Sequence, residues 1–227
     1  MRYSLGLLWL VFIVYALFMA PGNSPGNDPV FKGLLTLQSK EAWLLTVFSW
    51  LGIFPAVYAC LLLRNSVKAG GREGKRSVPA WPFVLFSFGL GAFALLPYYA
   101  WVWTFPVRTG SAYQVNNHLP VPSADSSKTG VARVAASKLT HLVLLLLTLG
   151  LAVYAITQGN PEHYAEAFNQ SSFVHIMTID LGVLTLLSTL AIFQDARDNG
   201  RAAYWAWLGL LPLAGPLIYL LTESEQH

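Results

Sequence analysis

Six apolar stretches follow one another along this chain with little polar sequence between them. They run over Ser4–Ala20, Ala42–Leu63, Ala80–Phe105, Leu139–Thr157, Phe173–Gln194 and Tyr204–Thr222. Each is long enough for an α-helix to cross a hydrocarbon core, which takes roughly 17–25 residues. In that medium every backbone N–H and C=O must be satisfied within the chain, so a spanning segment is helical unless strands close a barrel. Of 227 residues 55% are hydrophobic and 11% charged, whereas soluble domains carry about 25% charged residues. The expected fold is therefore all-α: a polytopic membrane protein of about six transmembrane helices in one bundle, its partner the lipid bilayer. Cys60 is the sole cysteine, which excludes an internal disulfide or a cysteine-based metal site.

Self-comparison adds a second level of order. The first stretch ends Val14-Tyr15-Ala16 and leads to Pro21-Gly22-Asn23; the fourth ends Val153-Tyr154-Ala155 and leads to Gln158-Gly159-Asn160. Leu51-Gly52 in the second stretch matches Leu181-Gly182 in the fifth. The third and sixth open on tryptophan (Trp81; Trp205 and Trp207) and carry late prolines, Pro97 before Tyr98-Tyr99 and Pro216 before Tyr219. These matches, in one order, predict a three-plus-three repeat: residues 1–105 and 139–227, joined by a polar linker over 106–138. They also argue that the first stretch is a true helix and not a cleaved signal peptide, although Arg2 precedes it. Three spans per half is an odd number, so the halves are expected to insert in opposite orientation. Such inverted repeats are the architecture of several secondary transporters.

The net charge is +3. Its densest basic run is Arg64, Lys68, Arg72, Lys75 and Arg76, between the second and third stretches. In a chain of this class that run reads as a positive-inside anchor, with no nucleic acid implied. Six spans from an inside N-terminus put Arg2 and that run inside. They leave Lys32, Lys40, Arg108, Lys128, Arg133, Lys138, Arg197 and Arg201 outside. Six against eight leaves the orientation open, with the density of the short loop favouring an inside N-terminus.

Asp180 stands about eight residues into the fifth stretch, with Ile176, Met177, Val183 and Leu184 one turn away. A charge at that depth costs roughly +2.5 to +3.5 kcal/mol on insertion scales and faces a bundle interior or a water-filled cavity. Tyr154 and Thr148, on an antiparallel fourth span, are its expected partners. The third stretch also contains Pro82, Gly89, Gly91 and Pro97, and the sixth contains Gly209, Pro212, Gly215 and Pro216. Proline deletes a backbone donor and glycine permits a bend. Breaks at matching positions of two halves point to a site between them, while small residues also permit close helix packing. The candidate polar or ligand site is thus Asp180, Tyr154, Thr148, Pro97, Gly215 and Pro216.

Other motifs carry less. Glu162, His163 and Glu166 could share a helical turn, but a solvated loop is the expected reading and no metal site is assigned. Asp195-Ala196-Arg197-Asp198-Asn199-Gly200 opens like a calcium loop, but Arg197 holds a ligand position and Ala206 stands where the bidentate Glu belongs, so it reads as a polar turn. His141 and His175 could ligate a pigment metal, although aromatics at span ends are ordinarily interfacial belts; the sequence names no cofactor. No nucleophile–base–orienter set occurs, so no catalytic residue is assigned and no enzyme is expected.

Trp50-Leu51-Gly52-Ile53-Phe54-Pro55-Ala56-Val57-Tyr58-Ala59, Pro79-Ala80-Trp81-Pro82-Phe83 and Gly91-Ala92-Phe93-Ala94-Leu95-Leu96-Pro97-Tyr98-Tyr99 resemble an uncharacterised family of cyanobacterial and plant-plastid multi-span membrane proteins. Phe173–Asp180, Asp195 and Leu213–Leu221 are similar to that family's C-terminal domain of unknown function. The resemblance spans nearly the whole chain outside the linker. It implies a thylakoid or plasma membrane of a cyanobacterium, or a plastid membrane, and supplies no activity. A plant protein would be expected to carry a transit peptide ahead of this start, so a cyanobacterial source is expected. The function expected is non-enzymatic: assisting assembly or stability of a photosynthetic membrane complex. The alternative is a small secondary carrier for an ion or polar solute, using Asp180 and the broken third and sixth helices.

Overall fold

The computed structural model describes residues 2–22, 28–36, 38–68, 80–102, 134–135 and 137–222, and these are helical with short connections. Three helices are long and apolar enough to cross a membrane: Ala42–Leu62 within α3 (Ala42–Lys68), Lys138–Gln158 (α6) and Ser172–Arg197 within α8 (Ser172–Asp198). The remaining elements are α1 (Arg2–Phe18), α2 (Pro29–Leu35), α4 (Trp81–Leu90), α5 (Ala92–Val102), α7 (Pro161–Gln170), a 3-10 helix Ala203–Leu210 and α9 (Ala214–Thr222). Leu142, Leu146, Leu147, Val153 and Ile156 of α6 and Leu7, Leu10, Val11 and Leu17 of α1 are exposed. Water would penalise so continuous an apolar exterior, and lipid does not. The chain is a membrane-associated helical protein.

Helix directions follow from the contacts. Leu44 and Val47, early in α3, pack with Val174 and Met177, early in α8. Further along, Tyr58 donates to the Leu184 carbonyl at 2.7 Å. The two long helices therefore run the same way. α6 runs against them: Thr46 donates to the Leu151 carbonyl at 3.1 Å, and Glu41, just before α3, accepts from the Asn160 N–H, just after α6, at 3.1 Å. α1 also opposes α8, since its late residue Tyr15 meets His175 at 2.6 Å and Ser172 donates to the Pro21 carbonyl at 2.9 Å. An inverted relation between the halves requires α3 and α8 to oppose one another, and they do not.

The reason lies in the third and sixth apolar stretches, which were expected to be broken but still to cross the membrane. Phe83 in α4 and Tyr98 in α5 have ring centroids 5.3 Å apart. Fifteen residues of continuous helix would separate them by about 22 Å, so the stretch folds back on itself. The reversal falls on Gly91, whose φ of 54° and ψ of −128° lie outside the helical region. In the sixth stretch, Trp205 of the 3-10 helix and Tyr219 of α9 have centroids 6.1 Å apart, so this segment also returns. Its turn runs through Pro212 and Leu213, the latter with φ of 55°. Each half of the chain thus ends in a helical hairpin. Hydropathy cannot register this, because both legs of a hairpin are as apolar as a span.

The ends of α1, α6 and the beginnings of α3 and α8 gather at one end of the bundle. Asn160 caps α7 and Ser171 caps α8 through their side-chain oxygens. Asp28 caps α2 and also accepts a short hydrogen bond from the Ser171 hydroxyl, which ties α2 to the start of α8. The starts of α1 and α6, the ends of α3 and α8, and the open ends of both hairpins lie at the other end.

Candidate functional site

Asp180 is buried, with 6% of its surface exposed. It reaches across from α8 to the tip of the α4–α5 hairpin. Its Oδ1 accepts the Ala92 backbone N–H at 2.8 Å. Ala92 is the first residue of α5, and the first four N–H groups of any helix lack intrahelical partners. Asp180 therefore acts as an N-terminal cap supplied from 88 residues away. A carboxylate there also lies at the positive end of the α5 dipole. This is what offsets the cost of an acid in an apolar helix.

Gly91 completes the junction. Its N–H donates to the Ser87 carbonyl at 2.8 Å, closing α4. A β-carbon on Gly91 would collide with all three carboxyl-group atoms of Asp180. The positive φ and the close approach both require glycine.

Large buried side chains pack between α3 and the hairpin. Tyr58, Tyr98, Tyr99, Phe54 and Leu95 are all buried. Tyr58 meets Tyr99 edge-on at 6.2 Å and Tyr99 meets Tyr98 edge-on at 5.4 Å. Pro97 sits inside α5 and cannot donate to Phe93, four residues back. The freed Phe93 carbonyl accepts the Trp9 indole N–H at 2.9 Å, and Phe12 stacks on Phe93 at 4.1 Å. Pro97 thus creates an acceptor that α1 uses to dock on the hairpin.

The remaining members of the expected site are elsewhere. Tyr154 is 38% exposed on the outer side of α6. Thr148 is buried, but its hydroxyl donates to the Leu144 carbonyl in its own helix at 2.8 Å. α6 packs on α3 and α9, so neither side chain is brought to Asp180. Gly215 and Pro216 are buried in α9, where a β-carbon on Gly215 would strike the Leu208 carbonyl. Their role is close packing of the second hairpin.

Two further carboxylates, outside the expected site, are also buried. Asp28 has just been described as a cap. Asp195 was assigned to a polar turn, yet it is buried in the last turns of α8 and its Oδ2 accepts the Tyr219 hydroxyl at 2.6 Å. Arg201 lies over the rings of Trp205 and Tyr219 at 4.4 and 4.5 Å and donates to the Thr222 hydroxyl at 3.3 Å. The available signal was periodicity: fifteen residues beyond Asp180, Asp195 is only about 60° further round the helix.

His175 bridges Tyr15 at 2.6 Å and the Phe168 carbonyl at 3.1 Å. A carbonyl can only accept, so Nδ1 carries the proton that it receives. His141 meets the Ala135 carbonyl at 2.9 Å. Glu162, His163 and Glu166 are exposed on α7, a helix rather than a loop, and Glu166 accepts from Gln170 at 3.0 Å. Among the described residues, no three His, Cys, Asp or Glu side chains converge as a metal site would require. No protein-family model, curated protein or solved structure matches this chain.

Proposed function

We propose that this protein is a non-enzymatic component of a photosynthetic membrane, assisting the assembly or stability of a membrane protein complex there. The observation that carries the reading is the use made of Asp180. The one acid deep in an apolar helix is spent on capping the chain's own α5, against a glycine that leaves no room for another group. The same hairpin carries buried tyrosines, Tyr98 and Tyr99, packed with Tyr58 of α3. Use of the acid for internal capping supports a scaffold role. The resemblance of residues 50–59, 79–83, 91–99 and 173–180 to a cyanobacterial and plastid family supports the location.

A carrier for an ion or polar solute is the second reading. It is favoured by one specific feature, a buried carboxylate at the tip of an interrupted apolar segment. Asp180→Asn separates the two. Asparagine caps a helix as well as aspartate does, so a scaffold should keep its abundance and co-purify in mild detergent with a larger complex. An absorption spectrum of the same eluate reports bound pigment. Normal abundance with lost solute uptake would instead support the carrier.

A further inference from the structure

We infer that the chain crosses the bilayer four times, through α1, α3, α6 and α8, and that both hairpins enter from a single face lying against the anionic headgroups on the cytoplasm-facing side.

α1 is shorter than the three long helices, but its 17 residues rise about 25 Å, close to the thickness of a hydrocarbon core, and the helix directions fix the rest. α1 and α6 run one way and α3 and α8 the other, as Tyr15–His175, Thr46–Leu151 and Tyr58–Leu184 require. α3 ends and α8 ends at the same face. The α4–α5 segment returns to the face it leaves, since Phe83 meets Tyr98. The second hairpin does the same, since Trp205 meets Tyr219 and Arg201, before the hairpin, reaches Thr222 at its end. Asp180 marks how far the first hairpin penetrates. It is eight residues into α8, so the tip lies roughly 12 Å from the opposite end of that helix.

Charge then orients the assembly. At the face where the hairpins open stand Arg2, Arg64, Lys68, Lys138, Arg197 and Arg201. The opposite face holds Lys32 and Lys40. The segments 69–79 and 103–133 lie outside the described residues. Six of the eight basic residues in the described segments thus belong to one face. Six crossings would divide the same eight residues three to five. Hairpins convert an undecided distribution into a strongly asymmetric one, with the sign that membrane proteins retain inside and that anionic lipid attracts.

Single cysteines in a Cys60→Ser background of the full chain test this, read with a membrane-impermeant maleimide on right-side-out vesicles before and after permeabilisation. Lys40→Cys and Glu162→Cys should label in intact vesicles. Asn65→Cys and Asn199→Cys should label only after permeabilisation. Asn65 and Asn199 reporting opposite sides would overturn the four-crossing arrangement. Both labelling from outside, with Glu162 protected, would overturn the orientation.

Discussion

The carboxyl group of Asp180 occupies the space into which any side chain on Gly91 would project. Helix α8 and the hairpin tip are therefore fitted to each other at a single residue pair. Gly91→Ala must strain a backbone at φ 54° and displace the cap, and should cost about 2–4 kcal/mol. Gly200→Ala, at φ 67° with open space around it, should cost only about 1–2 kcal/mol. Thermal unfolding of both variants in the same detergent measures the difference.

Replacement of Asp180 distinguishes a cap from a charge. Asp180→Asn should lie within about 0.5 kcal/mol of the wild type, because the amide oxygen can accept the Ala92 N–H. Asp180→Ala leaves that N–H buried and unpaired, and should cost about 1–3 kcal/mol. Equal losses in the two variants would mean that the carboxylate does more than cap. Unfolding midpoints under matched detergent conditions decide between these outcomes.

Trp9 and Pro97 should be coupled through Phe93. Trp9→Phe leaves the Phe93 carbonyl without its indole donor, a predicted loss of about 1–3 kcal/mol. Pro97→Ala restores a backbone N–H within α5. In that background Trp9→Phe should cost less, since the carbonyl then has a donor in its own helix. A double-mutant cycle on unfolding free energy reads the coupling directly.

Tyr164 provides a pH signature at the end of the bundle away from the hairpins. Its hydroxyl lies 2.6 Å from that of Thr178, which already donates to the Val174 carbonyl at 2.7 Å. Tyr164 is therefore the donor. Burial pushes its pKa above the ordinary 10.0 and the nearby Glu41 charge adds to it, while the Thr178 hydroxyl, which can turn to donate to the phenolate, opposes this. A folded-state pKa raised above the unfolded value contributes stability that is complete below pH 10 and lost as the pH climbs through the folded value. Unfolding measured across that alkaline range should fall less steeply in Tyr164→Phe than in the wild type.

The sequence specifies the long helices well. Ala42–Leu63, Leu139–Thr157 and Phe173–Gln194 correspond to α3, α6 and α8 with small shifts at their ends. The burial of Asp180 was also legible, because an acid among Ile176, Met177, Val183 and Leu184 has few other places to go. Its partner was not legible. Ala92 lies 88 residues away, and a backbone N–H leaves no compositional trace. Tyr154 and Thr148 were reasonable only if α6 packed against α8, and adjacency of helices is a property of packing that hydropathy does not encode. The prolines and glycines did mark broken segments. They did not state the angle of the break, because one residue at positive φ suffices to turn a span into a hairpin. The same residues explain why the charge distribution looked undecided: counting sides depends on counting crossings.

The most direct test of the account joins the two legs of the first hairpin. In a Cys60→Ser background, Phe83→Cys and Tyr98→Cys would be treated in membranes with the shortest bifunctional thiol reagents, and the products digested between residues 83 and 98 to detect a bridge. Rings whose centroids lie 5.3 Å apart predict an efficient intramolecular cross-link. Failure to cross-link while each thiol reacts singly, as expected for sites about 22 Å apart on one straight helix, would contradict the hairpin and the Asp180 cap built upon it.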